Sequence, residues 1–259
     1  MRFLRAALMV MMAGALGCAS APVSLKLPQG SRIGVLNVLE PEITHIHIGS
    51  LRFDGFTNSI DLGWDIPGFI GRQIEADLRS QGSYTLIPLA ADAAADWKQA
   101  MARAILRSVN RRMAGELRDF IEAAAAAKQL DAVITVSSFN SNERPHEGCF
   151  SIGDTEVVTR GYGLFTWQRL LSRLSERMPF GQNIASPFAN IIVAVFQAKP
   201  AALAGFGESP CSNVTLQGFP WEGDIRRLSP EVAEQLKPLV EALGADAART
   251  ALRNAGLLP

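Results

Sequence analysis

His45-Ile46-His47 sets two imidazoles two residues apart. Side chains alternate across a strand, so both imidazoles would share one face and could supply two of the ligands a zinc site needs. Asp54, Glu143, His146, Glu147 and Asp154 are further oxygen and nitrogen donors, but their spacing matches no metal motif. The competing reading is a solvated or hydrogen-bonded face of an amphipathic strand. A metal-dependent enzyme centred on His45 and His47 follows only from the first reading.

Other catalytic chemistry has less to stand on. Serines are plentiful, but no Gly-x-Ser-x-Gly elbow occurs and the three histidines have no evident nucleophile partner. Gly161-Tyr162-Gly163 lacks the later glycine and the helix of a dinucleotide site, and there is no phosphate-binding loop with its lysine. These glycines read as turns or strand bends, and no cofactor is expected.

The three cysteines divide by position. Cys18 follows two positive charges, Arg2 and Arg5, and an apolar run from Ala6 to Leu16. That is the anatomy of an export signal, and the run is too short to span a bilayer, which takes about 20 residues. Ala15-Leu16-Gly17-Cys18 resembles the lipobox of bacterial lipoproteins. The resemblance implies a diacylglycerol on the sulfur of Cys18, removal of residues 1–17, and an amide-linked acyl chain on the new amino group. Several chains anchor stably where one would be marginal. Ala19 stands where an Asp would favour inner-membrane retention, so the expected location is the outer membrane, facing the periplasm. The alternative is plain secretion with cleavage after Ala19-Ser20-Ala21, although Pro22 would then follow the cut.

Cys149 and Cys211 remain, and an oxidising periplasm suggests a disulfide between them. Such a bond would contribute about 4 kcal/mol in the chain-entropy model. Two separately buried thiols are the alternative.

From Trp167 to Met178, Trp167, Leu170, Leu171, Leu174 and Met178 fall on one helical face, and Arg169, Arg173 and Arg177 form a stripe. A helix of this type suits the boundary between acyl chains and anionic headgroups, with Trp167, Arg169, Leu171, Arg173 and Arg177 as lipid or partner contacts. The favoured alternative is a helix packed on the domain with its arginines in water.

Elements must exist to carry these residues. Ile33 to Leu39 and Ile43 to Ile48 read as strands joined tightly through Pro41-Glu42, and Leu51 to Trp64 as an irregular or short-strand surface segment. Asp65 caps a helix in which Ile66, Ile70, Ile74 and Leu78 recur every fourth residue, with Pro67 in its first turn and Gly82 at its end. Tyr84 to Pro88 is a short strand. Asp96 to Val109 and Met113 to Lys128 follow as helices, with Met101, Ile105, Leu117, Phe120 and Ile121 in the core. The β-branched run Val133, Ile134 and Val136 places a strand at Leu130 to Ser138. Thr155 to Tyr162, Asn190 to Gln197 and Val214 to Phe219 are further strands, and Ser229 to Leu243 and Ala245 to Leu257 are closing helices.

This order, with Gln129-Leu130-Asp131-Ala132-Val133-Ile134-Thr135-Val136, resembles the curli-secretion lipoprotein and the lipoprotein activators of penicillin-binding proteins. The matching portion is Ile33 to Ser138. Gln129-Leu130 stands where those proteins carry Gly-Ala, and the His-containing strand is extra. The resemblance implies an adaptor or assembly role in the periplasm, with partners recognised at a sheet edge or loops.

The expected fold is therefore mixed α/β, of the α+β kind, with helices packed on a mixed or mainly antiparallel sheet. The expected divisions are a signal peptide (1–17), a tether (18–30), a core α/β domain (31–138), a β-rich elaboration (139–228) and a C-terminal helical segment (229–259). Without residues 1–17 the chain carries 23 basic and 25 acidic residues, a formal charge of −2, which points away from nucleic acid. The expected partners are membrane lipid, through acylated Cys18, and another envelope protein. The expected work is that of a non-enzymatic binding or assembly factor. The metal-dependent enzyme and the membrane-contacting helix are the alternatives.

Overall fold

The computed structural model describes residues 25–48, 55–82, 84–90, 94–110, 112–141, 151–152, 155–156, 159–168, 183–209, 216–217 and 230–259. In chain order they form β1 (Arg32–Asn37), β2 (Ile43–Ile48), β3 (Phe56–Ile60), α1 (Ile66–Gln81), β4 (Thr85–Pro88), α2 (Ala95–Asn110), α3 (Gly115–Lys128) and β5 (Ala132–Ser138). Then come β6 (Ser151–Ile152), β7 (Thr155–Glu156), β8 (Tyr162–Gln168), β9 (Asn183–Ala189), β10 (Ile191–Ala198), β11 (Ala201–Glu208), β12 (Leu216–Gln217) and α4 (Pro230–Asn254).

One sheet runs β11-β10-β5-β1-β4. β1 lies parallel to both β4 and β5, while β10 is antiparallel to β5 and to β11, so the sheet is mixed. The central strands are apolar on both faces because helices cover both. On β10, Ile191, Val193 and Val195 face the core under α1 and α4, while Ile192, Ala194 and Phe196 face the core under α2 and α3. That double burial explains the unbroken apolar run of Ile191–Phe196, the pattern of a strand covered on both sides.

α1 follows its sequence signals closely. Asp65 Oδ1 accepts from the backbone N–H of Gly68 at 3.0 Å, which satisfies one of the donors that a helix start leaves open. Ile66, Ile70, Ile74 and Leu78 are the buried stripe. Asn37, at the end of β1, donates to the Pro67 carbonyl at 2.9 Å and so ties the carboxyl end of the strand to the first turn of the helix.

A second sheet runs β12-β9-β8-β2-β3. Its Ile43, Tyr162, Leu164, Ala185 and Ala189 enter the same core as Ile33, Ile134 and Val193 of the first sheet. The Tyr162 hydroxyl reaches the carbonyls of Glu40 and Pro41 at 2.9 and 2.8 Å, and so holds the turn where the chain passes from β1 to β2. Burial, reinforced by the nearby carboxylates of Asp61, Asp65, Glu40 and Glu42, pushes the Tyr162 phenol well above its ordinary value.

β1 and β2 form where expected and are joined by a short connection, but they lie in different sheets: β4 and β5 occupy both edges of β1, so β2 joins the other sheet. Three points differ from expectation. The two closing helices are one, because Gly244 lies inside α4, where a Cβ would come 2.8 Å from Ile70 Cδ1. The strand expected over 155–162 is instead the short β7 and the start of β8. β9 and β11 were not expected, and β11 with β10 puts part of the 139–228 elaboration inside the first sheet.

β11, Ala-Ala-Leu-Ala-Gly-Phe-Gly-Glu, is built for close approach. A Cβ on Gly205 would run into the backbone nitrogen of Ala255, and one on Gly207 into the carbonyl oxygen of Ala247. Ala247, Ala248, Ala251 and Ala255 form the small, buried face of the C-terminal helical segment that meets this sheet.

Candidate functional site

β2 places His45 and His47 on one face, as alternation requires, and the parallel register with β8 sets His47 beside Thr166. Both rings turn to the same hydroxyl: His45 Nε2 lies 2.8 Å and His47 Nδ1 3.0 Å from Thr166 Oγ1. A hydroxyl carries one hydrogen, so it donates to one ring and accepts an N–H from the other. Phe56 of β3 closes over the pair, edge-on to His45 at 5.1 Å and tilted against His47 at 5.2 Å.

His45 and His47 are 0% and 4% exposed and Thr166 is 1% exposed. The pair is therefore a hydrogen-bonded face, and the face is buried rather than solvated. Among the described residues, no group of three His, Cys, Asp or Glu side chains is placed to hold a metal ion. Asp54, Glu143, His146, Glu147 and Asp154 lie outside the described residues.

Cys18, Cys149 and Cys211 also lie outside them, as do Arg169, Leu171, Arg173 and Arg177. Trp167 does not, and here the sequence reading is corrected. Trp167 belongs to β8, between Ile48 of β2 and Ile184 of β9, so no helix begins there. The run Leu164-Phe165-Thr166-Trp167 is rich in β-formers and pairs with a strand on each side, which overrides the helical spacing counted from Trp167. No helix among the described residues is long and apolar enough to cross a membrane.

Open space lies at the two ends of β5. At its amino end a cavity of about 410 Å³ is lined by Leu25, Lys26, Leu130, Asp131, Gln197 and Lys199. At its carboxyl end one of about 190 Å³ is lined by Gln99, Arg103, Ser138, Phe139, Asn140 and Arg160. The second lies between α2 and the residues that end and follow β5. None of the ion pairs among the described residues involves Arg103 or Arg160. Two guanidiniums on one small polar cavity suit a carboxylate or another oxyanion.

Sequence reasoning missed Thr166, Arg103 and Arg160. Thr166 lies 121 residues from His45 along the chain, and Arg160 meets Asn140 through an isolated strand bridge. The one legible signal was the β-branched Thr166 within an aromatic run. Comparison with known protein families and with characterised proteins finds no match for this chain.

Proposed function

We propose that this chain is a lipid-anchored protein of the cell envelope, held through acylated Cys18, that works as a non-enzymatic binding or assembly factor. One observation carries the reading: Leu25, the first described residue, lines the cavity at the amino end of β5, while the Arg103 and Arg160 cavity opens at the other end. Seven strand residues separate the two, about 20 Å at strand rise. An anchor at one end leaves the other free to meet a partner. The charged start, the apolar run and Gly17-Cys18 support the anchor. The burial of Thr166 speaks against a nucleophile at the imidazole pair.

Two measurements test the reading. The intact mass of protein extracted from membranes is expected to carry diacylglycerol and an amide-linked acyl chain on Cys18, and a mass lacking both removes the anchor. A photo-crosslinking residue at Gln99 is expected to capture an envelope protein in intact cells, whereas one at Gln197 captures none. Capture at neither position, or equally at both, removes the binding end.

A further inference from the structure

We propose that the amino-end face of the first sheet rests on an anionic phospholipid surface through Lys26, Arg32, Lys128 and Lys199. The inference builds on the anchoring reading, because it names the surface that the anchor brings within reach. Cys18 to Leu25 is seven residues, so even fully extended chain holds Leu25 within about 25 Å of an acylated Cys18. Leu25 is fixed in the fold, its N–H donating to the Ala255 carbonyl at 2.8 Å.

The four cations gather around that point. Lys26 and Lys199 line the same cavity as Leu25. Arg32 Nε donates to the Lys128 carbonyl at 3.0 Å, which joins the start of β1 to the end of α3. All four residues are exposed, and none takes part in an ion pair among the described residues. Asp131 is the acid in the cavity lining, and its carboxylate accepts the Arg32 backbone N–H at 2.8 Å. The group therefore has an excess of positive charge, in a processed chain whose formal charge is −2.

A plainer account exists for Lys128, since a cation in the last turn complements the helix dipole. It does not extend to Lys26, Arg32 or Lys199, which lie on no helix. A bilayer presents many phosphates in a plane, and each basic side chain near such a surface strengthens binding by about five-fold.

The test uses the processed chain from Ala19 onward without acyl groups, which retains every described residue. It is sedimented with vesicles of phosphatidylcholine alone or with added phosphatidylglycerol. Binding is expected only to the anionic vesicles, and it should be lost in about 1 M salt, where the screening length falls to about 3 Å. The double variant Lys26→Glu, Lys199→Glu is expected to bind at least ten-fold more weakly, by the same about five-fold per charge. Arg103→Glu with Arg160→Glu, at the far end of β5, is expected to leave binding unchanged.

Equal binding to both vesicle types, an unaffected Lys26 and Lys199 variant, or an equal loss from the Arg103 and Arg160 variant each overturns the proposal. Matching circular dichroism spectra establish that the variants fold. Because this probe carries no lipid, its failure leaves acylation of Cys18 standing. A mass without diacylglycerol removes the anchor whatever the vesicles show.

Discussion

The backbone N–H of Leu25 donates to the carbonyl of Ala255, just past the end of α4, at 2.8 Å. One hydrogen bond thus joins the first described residue to the point where the last helix finishes. The Leu25 side chain is 6% exposed and lies in the core shared by α1 and α4.

Leu25→Ala should therefore act as a core truncation and not as a change in a loose tether, with a loss of about 2–5 kcal/mol. Urea unfolding measures it. A variant with the wild-type midpoint would mean that Leu25 is outside the cooperative unit.

Thr166→Val keeps the shape of the side chain and takes the hydroxyl from His45 Nε2 and His47 Nδ1. Removing one partner of buried polar groups costs about 1–3 kcal/mol, and Thr166→Ser should recover most of it. Equal unfolding midpoints for the Val variant and the wild type would show that the shared hydrogen bonds contribute nothing. Stoichiometric zinc in the purified protein would contradict this account of the site, because a metal bound to both nitrogens would have to take the hydroxyl's place.

Asp65 gives a prediction with a sign. The hydrogen bond from Arg72, more than the one from the Gly68 N–H, holds the Asp65 carboxyl below its ordinary value of 3.8, against an opposing effect of burial. The folded state thus favours the ionised form, and this stabilisation is present above the ordinary value and lost as pH falls through the lower folded one. Asp65→Ala should cost about 1 kcal/mol near neutral pH, the usual worth of an N-cap. The gap between variant and wild type should stay level down to about pH 4 and close below it, as followed by unfolding at a series of pH values. A gap that persists at low pH would assign the effect to something other than the carboxylate.

Gly207→Ala places a methyl against the Ala247 carbonyl, which is backbone and cannot swing aside. Overpacking of this kind costs about 1–3 kcal/mol, visible as a lower melting temperature. An unchanged melting temperature would mean that α4 does not lie as close to β11 as the structure places it.

The parts of the fold legible in advance were those whose signals are local. α1 was readable from Asp65, Pro67 and the four-residue spacing of Ile66, Ile70, Ile74 and Leu78, because cap, first turn and stripe lie within one stretch of chain. β5 was readable from its β-branched residues. β9 was hidden by Pro187, which lacks an N–H for a ladder; among the described residues β12 pairs with Ile184 and Ala185 and not with the proline. β11 was hidden by alanines and glycines that favour no strand by themselves. The candidate site was half legible: alternation put His45 and His47 on one face, but nothing nearby in sequence announced Thr166.

By itself the sequence determined the helices with caps and stripes, the strands of β-branched residues and the same-side placement of the two imidazoles. These follow from backbone periods that a few residues are enough to set. The tertiary structure decided which sheet each strand joins, the burial of His45 and His47 on Thr166, and the gathering of Lys26, Arg32, Lys128 and Lys199 around Leu25. Those outcomes depend on strand pairing between distant segments, where the choice of neighbour is made by which surfaces bury each other and not by any residue's own preference.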